Sequence, residues 1–264
     1  MEKKSQRKRD KFWNLLGHLK HTTHTTKTHD EQAQITYLST YAQHHFGKSL
    51  GSDFFASLLE DNEWDLKRAL GDLSDYEEAS HGILIEPPAE QQQLSLLGPE
   101  NDGGTSCYID SLLFAMYISN TAFDPLLTYD ILPSDNEIKI QLQTVMRLFV
   151  NKLRKGHFIS ASYVHCFRKV LEEAAWHGKD SNGNWSQEDT SELFMFITEI
   201  FDLPYLPFQI RLFHGANHDM NDDRVMTDRT ITLAIQDQQN KRLRLEDMLL
   251  DYFYNNVITG IKRE

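Results

Sequence analysis

Apolar positions recur mainly at intervals of three and four residues along this chain, which is the spacing of one face of an α-helix. Helices are predicted over residues 31–45, 53–60, 65–73, 136–154, 161–175 and 245–253, with two more beginning at Cys107 and Gln187. After Pro204 and Pro207 the pattern changes to alternation over residues 208–213 and 229–235, which predicts strands. This order of elements predicts an α+β fold.

Polar residues mark the boundary between two of the predicted helices. Asn62 is suited to end the second helix, and Asp65 is suited to begin the third. The apolar stripe of the Cys107 helix consists of Ile109, Leu112, Leu113, Met116 and Tyr117. A stripe of this kind predicts a helix that is buried on one side.

The composition describes a globular protein. Of 264 residues, 40% are hydrophobic and 11% aromatic, enough for one substantial core and a small satellite module. No run approaches the ~18 consecutive apolar residues of a membrane span, and the N-terminus lacks the apolar segment of a secretory signal. Because Cys107 and Cys166 are too few for a disulfide framework, we expect a reducing compartment, cytoplasmic or nuclear.

Charge is distributed unevenly along the chain. The net charge is -12, yet residues 1–27 are strongly basic, so the remainder is more acidic than the total indicates. An acidic body is a poor surface for nucleic acid and a better match for a basic partner. Residues 1–29 are typical of a disordered, solvated tail, and a targeting role is the lesser alternative. The histidines of the tail lack cysteine or acidic co-ligands at compact spacing, so no metal site is predicted there.

Three further segments follow the tail. Residues 30–79 are predicted to form a small helical module, residues 80–97 a linker, and residues 98–264 the largest domain. The linker contains Pro87-Pro88 and a glutamine run, and it has little periodicity.

The stretch around Cys107 carries the candidate chemistry. Gly103 and Gly104 supply a loop with unusual backbone freedom, and Cys107 falls at the start of the helix that follows. The partial positive charge at a helix N-terminus favours the thiolate, which is the nucleophilic form of cysteine. Cysteine is also often simply buried. These residues alone are therefore compatible with a nucleophile and with a structural cysteine.

Two motifs resemble a known enzyme family. Residues 103–117, GGTSCYIDSLLFAMY, resemble the cysteine box N-x-G-N-T-C-Y-x-N-S-x-L-Q of the ubiquitin-specific proteases. Residues 187–194, QEDTSELF, resemble the family's Q-x-D-A-x-E-F-L helix and follow in the same order. The wording CYIDS is most similar to the divergent branch that contains the cylindromatosis deubiquitinase and its fungal-type relatives.

The resemblance implies a papain-like cysteine protease, without a cofactor, whose partner is ubiquitin or a ubiquitinated protein. It implies that Cys107 is the nucleophile, and that Gln187, Asp189 and Glu192 help to hold the extended, arginine-bearing C-terminal tail of ubiquitin. Acidic residues are also ordinary in the first turn of a helix, which is the alternative for Asp189 and Glu192.

A second, weaker resemblance concerns the helical module. Residues 58–70 resemble the last two helices of ubiquitin-associated three-helix modules, whereas the loop over residues 46–51 lacks the Met-Gly-Phe wording of those modules. Ubiquitin binding and a packing unit without a ligand both remain open for residues 30–79.

The resemblance also leads us to expect a C-terminally incomplete catalytic domain. The family's catalytic histidine follows the strands that grip ubiquitin, whereas no histidine follows His218 here. The segment Gly156-His157-Phe158 imitates the wording of the histidine box but stands between the two motifs. We therefore expect His157 to be a loop histidine, with a general base as the less favoured alternative.

The oxyanion donor and the zinc site of the family have no direct match. The family's asparagine usually lies five residues before the nucleophile, where this chain has Asp102, with Asn101 one residue earlier. Because a carboxylate repels a developing oxyanion, either Asn101 or backbone amides near Cys107 would have to serve. No cysteine lies between His214 and Asp228, where family members often bind zinc, so no metal is predicted.

Three functions are compatible with the sequence. The favoured one is thiol-dependent cleavage of the bond after the C-terminal glycine of ubiquitin. A non-catalytic ubiquitin-binding protein is the second, and a papain-like hydrolase acting on small amides is the third. None of them requires nucleic acid or a membrane, and oligomeric state and chain-linkage preference stay open.

Overall fold

Helices make up most of the part of the chain that the structure describes. The structure is a computed structural model, and it describes Trp13 and residues 28–87, 97–132, 137–210, 213–214, 217–218, 224–233, 235 and 243–254. The chain divides into two compact units, Met1–Phe201 and Asp202–Glu264. The described residues of the first unit are helical apart from turns and isolated bridges, and the second adds short antiparallel strands. The fold is therefore mainly helical and, in this coarse sense, α+β.

The helices of the first unit follow the predicted periodicity. In chain order they are α1 (His29–Phe46), α2 (Ser52–Asp61), α3 (Leu66–Ser80), α4 (Cys107–Tyr117), α5 (Asp124–Thr128), α6 (Glu137–Lys155), α7 (Ala161–Glu173) and α8 (Thr190–Ile200). No helix in the described ranges is both long and apolar enough to cross a bilayer. The observed helix boundaries differ most from the predicted ones at α3, which is longer than predicted, and at α8, which begins three residues after Gln187.

Side-chain caps fix the ends of the first three helices. The Thr28 hydroxyl accepts a hydrogen bond from the Glu31 N–H at 3.3 Å, and the Glu31 carboxylate accepts one from the Thr28 N–H at 2.6 Å. Asp65 accepts two backbone hydrogen bonds from the first turn of α3, and Asn62 is the C-cap residue of α2. The predicted roles of Asn62 and Asp65 are confirmed, and α1 takes up the last residues of the segment predicted as a tail.

Trp13 is the one earlier residue of that segment that the structure describes. Its side chain is 1% exposed, and its ring lies 5.6 Å from Tyr76, 6.2 Å from Phe46 and 6.3 Å from Phe54. This position is therefore part of the aromatic core of the helical module and is not solvated. The rest of the predicted tail up to residue 27 lies outside the described residues.

The C-terminal half of α3 carries a buried acidic face. Asp72 forms an ion pair with Lys152 of α6, and Asp75 accepts from Lys155 at 2.8 Å and lies 3.3 Å from Lys152. Periodicity alone indicates that these carboxylates are solvent-facing, and it predicted that the helix ends at residue 73. The lysines of α6 allow the helix to stay buried, since a buried charge needs a partner.

Helix α6 holds the C-terminal ends of three other helices. Arg147 donates to the carbonyl oxygens of Ala79 at 2.6 Å and Leu127 at 2.7 Å, and Arg154 donates to Tyr117 at 2.8 Å. The last carbonyl groups of a helix lack intrahelical partners and attract cations. Burial lowers the pKa of Arg147 to about 10, so the guanidinium remains protonated at neutral pH.

Helix α6 also binds part of the segment predicted as a linker. The Asn151 side chain accepts from the Ile85 N–H and donates to the Ile83 carbonyl, both at 2.8 Å. Arg154 donates to the Ile85 carbonyl at 2.9 Å. Residues 83–85 therefore run along α6, whereas residues 88–96 lie outside the described residues.

The described residues of the second unit form two antiparallel strand pairs and a helix. Strand β1 (Leu206–Ile210) pairs with β4 (Arg224–Asp228), β2 (Phe213–His214) pairs with β3 (Asn217–His218), and helix α9 spans Leu245–Tyr254. The helix predicted over residues 245–253 is confirmed. The strand predicted over 229–235 is wrong for its described residues, because the Asp228 carboxylate accepts the N–H groups of Arg229 and Thr230 and turns the chain.

Candidate active site

The loop ahead of α4 has the backbone conformation that the glycines suggested. A 3₁₀ turn, Asp102–Gly104, contains Gly103 at φ 60° and Gly104 at φ 71°, values that strain residues with a side chain. Cys107 is the first residue of α4, and its side chain is exposed, whereas the predicted apolar stripe of the helix is buried. The alternative of a buried structural cysteine is therefore excluded for Cys107, and it describes Cys166 instead.

The start of α4 carries no side-chain cap. Ser106 is the N-cap residue, but its hydroxyl makes no capping bond to the helix. The Ser106 N–H donates to Asn101 Oδ1 at 2.8 Å, the hydroxyl lies 3.1 Å from the same oxygen, and the hydroxyl accepts from the Asp102 N–H at 2.9 Å. The serine thus secures the loop, and the amides of the first turn keep the positive end of the helix next to Cys107.

Of the two candidate oxyanion donors, Asn101 alone has a suitable group. Since a backbone N–H must face an acceptor, the contact with Ser106 identifies the Asn101 atom there as the amide oxygen. The amide nitrogen, a donor, is on the other branch of an exposed side chain. Asp102 offers a carboxylate, which only accepts.

Arg168 of α7 anchors the Asp102 side of the loop. Its guanidinium is fully buried and donates to the Asp102 carboxylate and carbonyl, each at 3.1 Å, and to the Thr105 hydroxyl at 2.8 Å. The ring nitrogen of His165, one turn earlier on α7, lies 3.5 Å from the same carboxylate. Asp102 is therefore held by an ion pair with Arg168 and a contact with His165, which fix the loop.

Trp185 connects this loop with the segment that precedes the second motif. The Thr105 hydroxyl donates to the Trp185 carbonyl at 3.4 Å. The Arg168 guanidinium lies 5.3 Å from the indole ring, and the Lys179 ammonium lies 4.8 Å from it. The approaches to the two sequence motifs, eighty residues apart, are therefore in direct contact.

The helices that carry the two motifs also pack together. Helix α8 contacts α4, with Leu193 and Ile197 of α8 buried. The ring of Phe194 lies 5.9 Å from that of Phe123, which follows α4. The polar residues of the second motif are thereby held near the Cys107 helix.

Asp189 is the N-cap residue of α8. Its carboxylate accepts the N–H groups of Ser191 at 2.6 Å and Glu192 at 3.3 Å, and these backbone bonds lower its pKa. This is the ordinary helix-start role that the sequence left open as an alternative. The side chains of Gln187, Asp189 and Glu192 are all exposed, so a role in binding is sterically available to each of them.

Asp110 completes the group of polar residues around the start of α4. Its Oδ2 lies 3.4 Å from the Ser106 hydroxyl, and its Oδ1 is buried without a hydrogen-bond partner among the described residues. Burial raises the pKa of this carboxyl to about 6, although the Ser106 hydrogen bond and Arg168 oppose the rise.

His157 has a partner in the helical module. Its Nδ1 lies 3.0 Å from the Asp75 carboxylate of α3, and its side chain is 45% exposed. No hydrogen bond joins Cys107 to a histidine within the described ranges. His157 is therefore a loop histidine that faces α3, as expected.

A cavity of about 790 Å³ lies elsewhere, between the turn that follows α2 and the connection from α6 to α7. His157, Phe158 and Tyr163 line it, and Cys107 does not. Several of its charged lining residues are paired within its wall, such as Asp72 with Lys152 and Glu63 with Arg68. The cavity therefore adds nothing to the Cys107 site. Across the described ranges no cluster of three His, Cys, Asp or Glu side chains could hold a metal ion.

Three residues of the site were not predicted from the sequence, namely Arg168, Trp185 and Asp110. Arg168 and Trp185 belong to a helix and a loop whose contacts with the Cys107 loop are long-range. A signal existed only for Asp110, which stands where the family's cysteine box has asparagine.

No protein-family model, no curated protein and no solved structure matches this chain.

Proposed function

We propose that this protein is a thiol-dependent deubiquitinase, with Cys107 attacking the carbonyl carbon of the C-terminal glycine of ubiquitin. The observation that carries the proposal is the exposed thiol at the uncapped start of α4, two residues after Thr105, whose hydroxyl donates to the Trp185 carbonyl just ahead of the second motif. The proposed finer architecture is the helical half and the beginning of the sheet of a papain-like protease.

The chemistry that the site would perform follows from its parts. The thiolate forms a bond to the carbonyl carbon, and the amides of the first turn of α4 and the amide nitrogen of Asn101 donate to the resulting oxyanion. Collapse of the tetrahedral intermediate breaks the isopeptide bond, and the leaving amine takes a proton from water. A second water then hydrolyses the thioester, which frees the C-terminal carboxylate of ubiquitin and restores the thiol. The resemblance assigns the proton transfers to a histidine downstream of the strands, and none follows His218.

The tail of ubiquitin would lie along the start of α8. Gln187, Asp189 and Glu192 are exposed there, and two of them are acidic. The arginines of the ubiquitin tail are complementary to these carboxylates, and the acidic body would attract them from a distance. Binding should therefore weaken as salt is raised.

Turnover of a ubiquitin C-terminal fluorogenic amide tests the proposal. We expect the rate to saturate with substrate concentration and to be abolished by Cys107→Ala, with Cys166→Ala as the matched control that keeps activity. Turnover that survives Cys107→Ala would contradict the proposal.

A ubiquitin-binding protein without turnover is the second candidate. It is favoured by the lack, in the described ranges, of a histidine bonded to Cys107. Saturable ubiquitin binding that Asp189→Asn and Glu192→Gln weaken, with no turnover of the fluorogenic amide, would select the binder over the enzyme.

A further inference from the structure

Asp110 has an environment that a carboxylate rarely occupies. One carboxyl oxygen is buried and has no hydrogen-bond partner among the described residues, and the other has only a long contact, 3.4 Å, with the Ser106 hydroxyl. Leaving a buried carboxylate oxygen without a partner is costly. An exposed, solvated aspartate would not carry this energetic cost.

Asp110 also lies close to the thiol. It is three residues after Cys107 on the same helix, and side chains at that spacing are neighbours, with Cβ atoms about 5–6 Å apart. A negative charge at this distance disfavours a second negative charge on the sulfur. An ionised Asp110 therefore places a negative charge on the helix face next to the sulfur.

The hydroxyl of Ser106 provides a second connection. This hydroxyl has one proton, and two acceptors face it, Asn101 Oδ1 at 3.1 Å and Asp110 Oδ2 at 3.4 Å. A charged Asp110 competes for that proton, whereas a neutral Asp110 leaves it to Asn101. The ionisation of Asp110 thus also affects how firmly the side chain of Asn101 is held.

The surrounding charges only partly stabilise the ionised form of Asp110. Arg168 of α7 attracts it, but the same guanidinium is bonded to Asp102, which repels it, and His165 faces Asp102. On the other packed elements, Glu188 lies just ahead of α8 and acts on the neighbouring Tyr108, Glu192 lies in the first turn of α8, and Arg154 of α6 binds the far end of α4. With burial as the main cause, the pKa of Asp110 rises from 3.8 to about 6, within reach of cellular pH.

We infer that Asp110 is a positioning residue that controls the nucleophilicity of Cys107, suppressing the thiolate when charged and releasing it when neutral. The inference rests on the proposed function only in assigning Cys107 as the nucleophile. The effect is on the thiol itself, so it is measurable without ubiquitin.

The alkylation rate of Cys107 by iodoacetamide tests the inference. The rate is measured by mass spectrometry of the Cys107 peptide from pH 5 to pH 9, in the wild-type chain and in Asp110→Asn. Near pH 7 we expect Asp110→Asn to react about three- to tenfold faster, the size expected from removing one charge at this distance in a partly hydrated site. Near pH 5, where Asp110 is protonated, the two rates should converge.

Matched variants exclude a general effect on folding or charge. Asp53→Asn removes an exposed aspartate from the first turn of α2 and should leave the profile unchanged. Asp110→Ala should reproduce the Asp110→Asn profile, with thermal unfolding recorded for every variant. A ratio of rates that stays at one at all pH values in folded variants would overturn the inference. Failure of ubiquitin turnover alone would leave the inference standing.

Discussion

At the scale of single residues, the sequence predicted what local structure determines. Gly103 and Gly104 adopt positive φ and Asp65 caps a helix, as their residue types indicate. The sequence could not assign the engagement of Asp102, because its partner Arg168 is 66 residues away and buried arginines are not recognisable from composition. The orientation of the Asn101 side-chain amide, which its contact with Ser106 sets, could not be predicted from the sequence either.

Asp189 offers a test that separates its two roles. Asp189→Ala removes the cap of α8 and should lower the melting temperature, whereas Asp189→Asn keeps a good N-cap and should leave it nearly unchanged. If Asp189 also contacts the ubiquitin tail, Asp189→Asn should weaken ubiquitin binding without loss of stability. Calorimetric titration and thermal unfolding of the two variants measure both effects. Equal affinity of Asp189→Asn and wild type would restrict Asp189 to capping.

At the scale of elements, apolar spacing predicted the helices but not the charged positions buried between them. Helix α6 was predicted from its stripe, yet Arg147, Lys152 and Arg154 on its other sides are also buried. A periodicity argument treats such residues as solvent-facing. The strand predicted over residues 229–235 was wrong for a different reason, since alternation takes no account of the turn at Asp228.

Replacement of Arg147 tests the role of α6 in holding other helices. Arg147→Met keeps much of the apolar volume but leaves the carbonyl groups of Ala79 and Leu127 without their donor. We expect a loss of about 3 kcal/mol in the free energy of unfolding, measured in urea at pH 7. Arg68→Met is the control, because that side chain is 63% exposed, and it should change stability by less than about 0.5 kcal/mol. Equal effects of the two substitutions would contradict this account of α6.

In the whole molecule, two segments that the sequence predicted to be separate lie in one compact unit. Composition separated residues 30–79 from the predicted domain over residues 98–264 by a linker, whereas residues 30–79 and the part of that domain up to Phe201 belong to one unit, Met1–Phe201. The contact between them includes buried ion pairs, with Asp72 and Asp75 of α3 facing Lys152 and Lys155 of α6. Charge pairs between distant segments have no signature in a single sequence, which is why the contact between α3 and α6 was not predicted.

The pH dependence of stability tests this ionic contact. Burial alone would raise the pKa of Asp75, but His157, Lys152 and Lys155 outweigh it and lower the pKa from 3.8 to about 2. A depressed pKa contributes stability above the unfolded value, about 2 kcal/mol here, which is lost as pH falls from about 4 to about 2. We expect Asp75→Asn to be less stable than wild type at pH 7 in urea unfolding and the difference to shrink across that window. Asp53→Asn, at an exposed site, should show no such trend, and a pH-independent difference for Asp75→Asn would contradict the assignment.

The proposed deubiquitinase activity requires that ubiquitin deliver its C-terminus to the thiol of Cys107. This requirement is tested by comparing the rate of Cys107 modification by ubiquitin carrying a C-terminal electrophile with the rate for the same electrophile on a glycine dipeptide. We expect a saturable rate for the ubiquitin probe, at least about a hundredfold faster than the dipeptide, since recognition of the protein lowers the barrier by about 2.7 kcal/mol or more. Equal rates for the two electrophiles, or an adduct mapped to a residue other than Cys107, would rule out delivery of the ubiquitin C-terminus to this thiol.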